Sequence, residues 1–205
     1  MKPVFFDIET SGVDIARCGI WQIGAVDLNN PVNHFLEEAR IDDEDEIINA
    51  GDRPVLEVIG KTEMELRDNK KHSQKELLSK FFKWFDKVDM KNLASQNPQF
   101  DVAMISLKSR RYGLKMPFHY RAFDLHSITQ TIHHNLNGQF LFGEGHSKMD
   151  LKNVINFCGM EDNRKAHNAL EDAKLGGECF SRLIDGKNLF PEYAQFGIPN
   201  YLLKK

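Results

Sequence analysis

The sequence predicts a single α/β domain, and two observations carry this prediction. Three apolar segments typical of strands come first, and helical segments then alternate with short strands along the rest of the chain. The chain has 205 residues, of which 41% are hydrophobic, so it can bury one sizeable core. We therefore expect one domain over residues 1–205, with a core at about 3–185 and a C-terminal extension at 186–205.

Composition limits the classes of partner. With a net charge of −3 and a pI near 6.2, the whole molecule does not attract polyanions, so any nucleic-acid site must be local. The three cysteines are widely spaced, which argues against a disulfide framework or a zinc knuckle and implies a reducing compartment. The N-terminus resembles a strand rather than a leader, and no apolar run approaches the ~18 residues of a membrane span. These features predict a soluble, cytoplasmic protein without a membrane partner.

The first strand, within residues 5–12, is the centre of the functional prediction. Asp7 and Glu9 are two residues apart, so a strand projects both carboxylates from the same face. Two adjacent carboxylates repel each other, and either one stays protonated or a hard cation neutralises both. A solvated strand terminus is the more frequent explanation of such a pair alone, so the metal interpretation requires partners downstream.

Two further strands complete a predicted meander. Residues 19–28 are typical of a buried strand, and a turn at 29–31 leads to another strand at 32–37. The acidic run at 41–46 has neither the acid spacing nor the glycine of a calcium-binding loop. We expect this run to be a solvated loop that points away from any substrate channel.

Helices and a central strand follow the meander. Residues 54–69 predict short helical pieces, and Ser73 can cap an amphipathic helix whose aromatic stripe is more typical of a core than of a base-stacking surface. Residues 93–96 indicate a short central strand, after which Pro98 precedes a helix at 99–112. This order places the end of a central strand directly before the start of a helix.

The second half of the chain continues the alternation. A strand at 121–126 precedes a helix at 127–134, a glycine-containing loop at 137–148 that can act as a flap, and helices at 150–157 and 165–183. A zinc site is an alternative for the acid and the histidines of this stretch. Helix capping by the acid, and the helix dipole for histidines in the last turn, explain them better. The residues concerned are Asp124, His126, His133 and His134.

Two downstream stretches supply candidate partners for Asp7 and Glu9. Asp101 lies in the first turn of its helix, beside the end of the central strand, although a carboxylate that only offsets the helix dipole is the alternative. His167 and Asp172 are five residues apart, which turns a helix through about 500° and leaves roughly 140° between them. A histidine on the loop before the helix could still flank the same cavity. The alternative is an exposed histidine and a solvated acid.

The three stretches together resemble a known family. The segments F-D-I-E-T-S-G at 6–12, Q-N-P-Q-F-D at 96–101 and H-N-A-L-E-D-A at 167–173 are similar, in order and spacing, to the three motifs of the DEDD-type 3'-to-5' exonucleases. The histidine places the resemblance in the DEDDh subgroup, which includes polymerase proofreading subunits, oligoribonuclease and ribonuclease T. The similarity extends over about residues 4–180 and includes all five catalytic residue types.

The resemblance implies a fold and a catalytic centre. The fold would be ribonuclease H-like, with a mixed five-stranded sheet and helices on both faces. Two Mg²⁺ ions, for which Mn²⁺ can substitute, would activate water and stabilise the attacking and leaving oxygens, and an imidazole would accept the proton at neutral pH. The implied metal ligands are Asp7, Glu9, Asp101 and Asp172, and the implied general base is His167.

The resemblance also implies contacts to the substrate. The turn backbone after the first strand would hold the terminal nucleotide, and Val13 would lie against its base. Gln96, Pro98 and Ile59 depart from the family pattern, in which H-N-A and V-H-G are frequent, and none of these positions is a metal ligand. The implied substrate-binding residues are Thr10, Ser11, Gly12, Val13, Ile59, Asn97 and Phe100.

The implied activity is metal-dependent hydrolysis of a nucleic acid from its free 3' end, with release of 5'-mononucleotides and a slight preference for single-stranded DNA. Two alternatives stay open: an exoribonuclease that trims RNA or oligoribonucleotides, and a non-catalytic nucleic-acid-binding module. A degenerate binder should have lost a catalytic residue, whereas all five types are present. A basic helix end could track the phosphate backbone, with simple solvation as the alternative. Its residues are Lys108, Arg110, Arg111 and Lys115.

Overall fold

A mixed five-stranded sheet forms the centre of the computed structural model, which describes residues 1–49, 54–164 and 168–203. The first strand lies in the middle, pairs antiparallel with the second and parallel with the fourth, and the fourth pairs parallel with the fifth. This arrangement confirms the predicted sheet. In spatial order the strands are β3 (His34–Glu38), β2 (Ile20–Asp27), β1 (Val4–Thr10), β4 (Leu93–Ser95) and β5 (Phe123–Asp124).

Helices cover both faces of the sheet, as predicted. The helix at 74–85 begins at Ser73, whose side chain accepts a hydrogen bond from the backbone N–H of Glu76 in the predicted capping position. A two-stranded hairpin lies between the fifth and sixth helices. The helices are α1 (Val55–Ile59), α2 (Glu63–Leu66), α3 (Gln74–Phe85), α4 (Pro98–Tyr112), α5 (Leu125–Asn137), α6 (Leu151–Phe157) and α7 (Ala169–Asp185), and the hairpin strands are β6 (Phe142–Gly143) and β7 (His146–Ser147).

The side chains of β1 point alternately to the two faces of the sheet, and the apolar core has one layer on each face. Phe6 packs with the aromatic stripe of α3, in which Phe81 and Phe85 are fully buried, so the prediction that this stripe belongs to the core is confirmed. Phe5, on the opposite face, packs with residues of α5, α6 and α7, including Leu125. Burial of one such side chain contributes about 1.5–3 kcal/mol, so the two layers hold β1 firmly from both sides.

The approach of α7 to the sheet depends on a glycine of β2. A Cβ on Gly24 would lie 2.1 Å from the carbonyl carbon of Ala169 and from the backbone nitrogen of Leu170. The backbone N–H of Ala169 donates to Oε1 of Gln22 at 2.8 Å. Because Gly24 is the register partner of Asp7, the first turn of α7 lies close to the acidic part of β1.

The stretch at 137–148, predicted as a loop, contains the hairpin of β6 and β7. Glu144 and Gly145 form its turn with φ angles of 54° and 80°, the left-handed pair that tight hairpin turns require. Each strand has two residues, which is too short for hydrophobic alternation to reveal. The turn residues were therefore visible in the sequence, whereas the strands were not.

The acidic run at 41–46 differs from its prediction. Asp45 is 1% exposed, and its carboxylate accepts hydrogen bonds from Lys108 Nζ, Gln74 Nε2 and Arg111 Nη1. Although burial alone would raise the pKa of Asp45, these donors hold it below its ordinary value. The run is thus anchored to α4 by a buried ion pair. Lys108 is 0% exposed and is committed to this pair, which corrects its proposed role in tracking phosphates.

The segment at 186–203 packs against α7. Glu178 and Arg182 form a fully buried ion pair, with 2.7 Å between Oε1 and Nε. Arg182 Nη2 also donates to the carbonyl oxygens of Tyr193 and Phe196, each at 3.0 Å. This pair ties the C-terminal segment to the helix, and the division of the domain into a core and an extension stays a prediction.

Two further expectations concern covalent links and membranes. Cys18, Cys158 and Cys179 are buried free thiols. None of the described helices combines the length and the apolar character that a membrane crossing requires.

The buried ion pair of Asp45 generates the first prediction. Asp45→Asn should destabilise the protein by about 3–5 kcal/mol at pH 7, because it leaves the ammonium of Lys108 buried without its counter-charge. Urea unfolding measures the change, and the exposed neighbour of the same run provides the control, Asp43→Asn.

The pH dependence has a definite sign. Since the folded-state pKa of Asp45 is lowered, its stabilisation is fully present above the unfolded value of about 3.9 and is lost as the pH falls through the folded value. The unfolding free energies of the parent and Asp45→Asn should therefore converge below about pH 4. A constant difference between pH 7 and pH 3 would contradict this account.

Candidate active site

Three carboxylates converge at one end of β1. Asp7 and Glu9 project from β1, and Asp172 lies in the first turn of α7. One carboxylate oxygen of each lies within 4.8 Å of those of the other two. Asn168 caps α7 through hydrogen bonds from the backbone N–H groups of residues 170 and 171 to its Oδ1, both at 3.1 Å. The predicted pairing of two strand carboxylates with a helix carboxylate is therefore present in the fold.

Asp101 joins the same electrostatic environment from the opposite neighbour of β1. It lies in the first turn of α4, directly after β4, and is 6% exposed. Its Oδ2 accepts a hydrogen bond from Ser95 Oγ at 2.7 Å. The turn between β4 and α4 is made by Asn97, whose φ of 67° is left-handed and whose backbone N–H donates to Oδ1 of Asp124 at 3.2 Å. Asparagine tolerates this conformation better than most residues.

Burial and mutual repulsion raise the pKa values of these acids. Burial, followed by the charges of Asp101, Glu9 and Asp172, raises the pKa of Asp7 well above its ordinary value. Burial and the charges of Asp172 and Asp101 raise the pKa of Glu9 to about 8. Burial raises the pKa of Asp101 to about 7, against the opposing hydrogen bond from Ser95. Full ionisation near neutral pH therefore requires added positive charge.

The chemistry of this donor set fits divalent cations. Hard ions such as Mg²⁺ and Mn²⁺ prefer carboxylate oxygens, and several acids in a partly buried site offset the charge of such ions. Within the ranges 1–49, 54–164 and 168–203, the group of Asp7, Glu9 and Asp172 is the one found with metal-binding spacing. The paired histidines of α5 serve other contacts: Nδ1 of His133 lies 2.9 Å from the carbonyl oxygen of Gln139, and the ring of His134 packs on Phe140 at 4.6 Å.

Arg164 is a member of the site that the sequence analysis did not find. Its Nη1 donates to Oδ1 of Asp172 at 2.9 Å, and its Nε and Nη2 bind the two carboxylate oxygens of Asp162 at 2.8 Å each. The charge of the guanidinium opposes, and only partly offsets, the rise in the pKa values of Asp7 and Glu9. In the sequence, Arg164 is a single arginine eight residues before Asp172, on a segment without hydrophobic periodicity. The family motifs consist of acids and a histidine, so they do not include this arginine.

The turn after β1 is built tightly against residues 46–48. Ser11 is 0% exposed: its Oγ donates to the carbonyl oxygen of Glu46 at 2.6 Å, and its backbone N–H donates to Gly19. A Cβ on Gly12, at a φ of 152°, would lie 2.4 Å from the carbonyl oxygen of Ile48, so the turn requires glycine. Thr10 Oγ1 donates to the carbonyl oxygen of Gly12 at 2.8 Å.

The other predicted substrate contacts differ in exposure. Val13 is 59% exposed, and Asn97, at the start of the helix that carries Asp101, is also exposed. Phe100 is half-buried against the core. Ile59 is 6% exposed and packs with Trp21, so its side chain supports the segment from within. His167 lies outside the described residues.

Comparisons with known proteins identify the family and the fold of this chain. A family model described as "Exonuclease" (RNase_T) matches residues 4–180. No curated protein sequence matches the chain significantly.

Solved structures match the fold at low sequence identity. The zinc-bound complex of E. coli ExoI with single-stranded DNA has 18% identity and a TM-score of 0.69 over 89% of this chain and 40% of that one. A product-bound exonuclease I has 16% identity and a TM-score of 0.64, over 90% of this chain and 43% of that one. The nuclease domain of 3'hExo, a DEDDh family member bound to rAMP, has 12% identity and a TM-score of 0.64, over 96% and 95% of the two chains.

This chain thus spans about 40% of the length of the exonuclease I chains that it matches, whereas it covers nearly all of the 3'hExo nuclease domain. The shared architecture confirms the ribonuclease H-like fold. Since the family model covers most of the sequence, the chain belongs to the exonuclease family, and it shares its fold with the nuclease domain of a DEDDh family member.

Proposed function

We propose that this protein is a metal-dependent 3'-to-5' exonuclease that hydrolyses phosphodiesters from a free 3' end and releases 5'-mononucleotides. The convergence of Asp7, Glu9 and Asp172, with carboxylate oxygens within 4.8 Å of one another, is the observation that carries this proposal. Asp101, whose charge acts on Asp7 and Glu9, completes the acidic set.

The four acids would hold two divalent ions, Mg²⁺ or in its place Mn²⁺. Such a pair lowers the pKa of bound water and stabilises the developing charge on the attacking and leaving oxygens. The residues of this chain supply the rest. β1 fixes the separation of Asp7 and Glu9, the N-terminus of α7 fixes Asp172, and Ser95 orients the carboxylate of Asp101.

We assign the general base to His167. The assignment rests on its position in the sequence, immediately before Asn168 and five residues before Asp172. An imidazole with an ordinary pKa near 6.5 accepts a proton from water at neutral pH without the help of a buried charge.

The end of the substrate would lie over the turn after β1. Val13 offers an exposed apolar side chain to the terminal base, and Asn97 and Phe100 border the acids from the start of α4. The turn backbone at Thr10, Ser11 and Gly12 shapes the position of the terminal nucleotide. A site of this kind accepts a free end, so circular strands should not be substrates.

The choice of sugar is the finer part of the proposal, and we favour single-stranded DNA slightly. ExoI is described in complex with single-stranded DNA, and 3'hExo with rAMP, so each alternative has a structural relative. Discrimination would depend on a contact to the 2'-hydroxyl.

A matched panel of labelled substrates tests the proposal. It comprises 5'-labelled single-stranded DNA, single-stranded RNA, duplex and 3'-phosphorylated strands and an internally labelled circle, each with Mg²⁺ and then with Mn²⁺. We expect stepwise shortening from the 3' end, 5'-mononucleotides as the released products in chromatography, and no nicking of the circle. Rapid nicking of the circle would overturn the assignment as an exonuclease, and binding without hydrolysis would favour the non-catalytic module. An RNA rate far above the DNA rate would favour the RNA-trimming alternative.

Removal of a proposed metal ligand is the second prediction. Asp7→Asn should lower turnover by at least about 10³-fold and leave the fold intact, because loss of this charge removes several kcal/mol of transition-state stabilisation. Calorimetric titration with Mn²⁺ should show weakened binding, and Asp43→Asn serves as an exposed control. Full turnover with two bound ions in Asp7→Asn would remove Asp7 from the site.

Loss of the proposed base is the third prediction. His167→Ala should lower turnover by about 10²–10⁴-fold, because general-base catalysis typically contributes that much, while affinity for Mn²⁺ stays nearly unchanged. The acidic limb of the pH–rate profile should disappear in the variant. An equal loss of metal binding would show that His167 acts as a ligand instead.

The positive charge of the Arg164 side chain in the acidic cluster generates the fourth prediction. Arg164→Gln should tighten Mn²⁺ binding by at least about fivefold, since a unit charge a few ångströms away opposes the ion by roughly 1–4 kcal/mol in a partly hydrated site. Calorimetry compares Arg164→Gln, which removes the positive charge, with Arg164→Lys, which keeps the charge but removes the planar guanidinium. The comparison separates the effect of the charge from that of the guanidinium geometry. Weaker binding in both variants would mean that Arg164 mainly orients Asp172.

A further inference from the structure

A second concave site lies at the far end of α5 from the acidic cluster. A cavity of about 660 Å³ is formed between the last turn of α5 and the segment that leads into β6. Aromatic rings, imidazoles and amides line it, which is the composition that stacks on flat ring systems and hydrogen-bonds their edges. The lining residues used below are His133, His134, Asn137, Gln139, Phe140 and Phe142.

The rings at this cavity form a continuous row, in which His134 is half-buried and the two phenyl rings are exposed. The centroids of His134 and Phe140 are 4.6 Å apart, and those of Phe140 and Phe142 are 5.7 Å apart. Phe140 is 46% exposed and Phe142 is 65% exposed. Phenyl rings left in water lose the free energy that burial would supply, so a row of them at a cavity indicates a surface that is covered in use.

The segment that carries these rings is held firmly in place. Gln130 binds both backbone groups of Leu141: its Oε1 accepts from the N–H at 2.9 Å, and its Nε2 donates to the carbonyl oxygen at 3.0 Å. Nε2 of Gln130 also donates to Ser147 Oγ at 2.7 Å. This buried glutamine therefore clamps the segment before β6 to β7, and the ring row is presented by a fixed scaffold.

Two contacts join the elements that flank this site to the segment that precedes Asp101. Asp124, at the start of α5, accepts the backbone N–H of Asn97, and Nε2 of Gln96 donates to the carbonyl oxygen of Met149 at 2.8 Å. At 1.5 Å per helical residue, the ten residues from Asp124 to His134 span about 15 Å. Stacked nucleotides are ~3.4 Å apart along one strand, so about four to five of them would cover this distance.

We propose that His134, Phe140 and Phe142 form a base-stacking platform that holds a single strand several nucleotides to the 5' side of the bond being cleaved. This inference rests on the proposed function, and it assigns to that function a second contact with the substrate. Gln139 also lines the cavity, and its side-chain amide would supply hydrogen bonds to base edges. Every base has a π-face, so the platform should tolerate all sequences.

The charges around the platform set its salt dependence. Lys148, whose side chain lies over Gly143 beside the platform, is paired with Glu144 at 3.1 Å between Nζ and Oε2, so the two charges offset each other. Stacking rather than phosphate contact therefore supplies the affinity, and binding at the platform should change little between low and moderate salt.

The experiment compares substrate lengths. Hydrolysis of single-stranded oligonucleotides from two to twelve nucleotides is measured for the parent, for the double variant Phe140→Ala/Phe142→Ala, and for Tyr120→Ala. Tyr120 is 74% exposed and stacks on His119, so it is a matched exposed aromatic away from the cavity. Circular dichroism verifies that the variants are folded.

In the parent and in Tyr120→Ala, KM should fall about tenfold as the length passes about five nucleotides. In the double variant this fall should disappear, while kcat and the dinucleotide rate stay unchanged. Anisotropy of a labelled twelve-nucleotide strand on the metal-free protein should show the same loss of affinity. Unchanged length dependence in the double variant, or an equal loss with dinucleotides, would overturn the platform.

The same measurements separate this inference from the proposed function. Strand binding that depends on Phe140 and Phe142 without hydrolysis by the parent would leave the platform standing and refute the exonuclease. A double variant with normal strand binding but altered self-association in gel filtration would overturn the platform and identify the ring row as a contact between copies of this chain.

Discussion

The carboxylates of four acids lie close enough at the end of β1 to repel one another, and much of the structure holds them in these positions. The acids are Asp7, Glu9, Asp101 and Asp172. Like charges at such separations repel strongly once water is excluded, so their backbone supports must be rigid. β1 is hydrogen-bonded on both edges and packed on both faces. Because Gly24 has no side chain, the first turn of α7 can approach β2 closely, and this close approach places Asp172 in the cluster. The repulsion is thus balanced by the fold itself.

The same constraint explains the role of charged groups inside the protein. The guanidinium of Arg164 forms an ion pair with the carboxylate of Asp172, and a second ion pair, with the carboxylate of Asp162, holds it in place. Asp45 and Lys108 pair in the interior beside α4, and Glu178 and Arg182 pair inside α7. In each case the charge is offset by a partner within hydrogen-bonding distance, as buried ions require. The two structural pairs anchor an acidic loop and the C-terminal segment, whereas the acids at the end of β1 repel one another, and a divalent ion can offset this repulsion.

The sequence predicted the parts of this arrangement that depend on local geometry. The spacing of Asp7 and Glu9 predicted a shared face because strands alternate, and Pro98 predicted a helix start that places Asp101 in its first turn. The family motifs then predicted that Asp172 would join them, and its carboxylate lies within 4.8 Å of those of Asp7 and Glu9. The predictions from β1 and Pro98 were possible because a period or a cap fixes the relation between neighbouring residues.

The predictions from sequence failed where contacts between residues distant in the sequence determine the local structure. The burial of Asp45 depends on Lys108, 63 residues away, and no local pattern distinguishes it from its solvated neighbours. Arg164 was missed because its role follows from contact with Asp172 rather than from a motif. The hairpin at Phe142–Ser147 was missed because two-residue strands carry no period, although its glycine turn was visible.

Thermal unfolding in the presence of Mn²⁺ tests the central claim most directly, because it depends on the buried repulsion and on no assumption about substrate. The parent protein is unfolded at pH 8 with chelator and then with increasing Mn²⁺. Ions that bind the folded acids stabilise the fold by mass action, about 2.7 kcal/mol at a hundredfold excess over Kd for each site. The account predicts that Tm rises with Mn²⁺ and continues to rise beyond one equivalent. A Tm that does not respond to Mn²⁺ would contradict it.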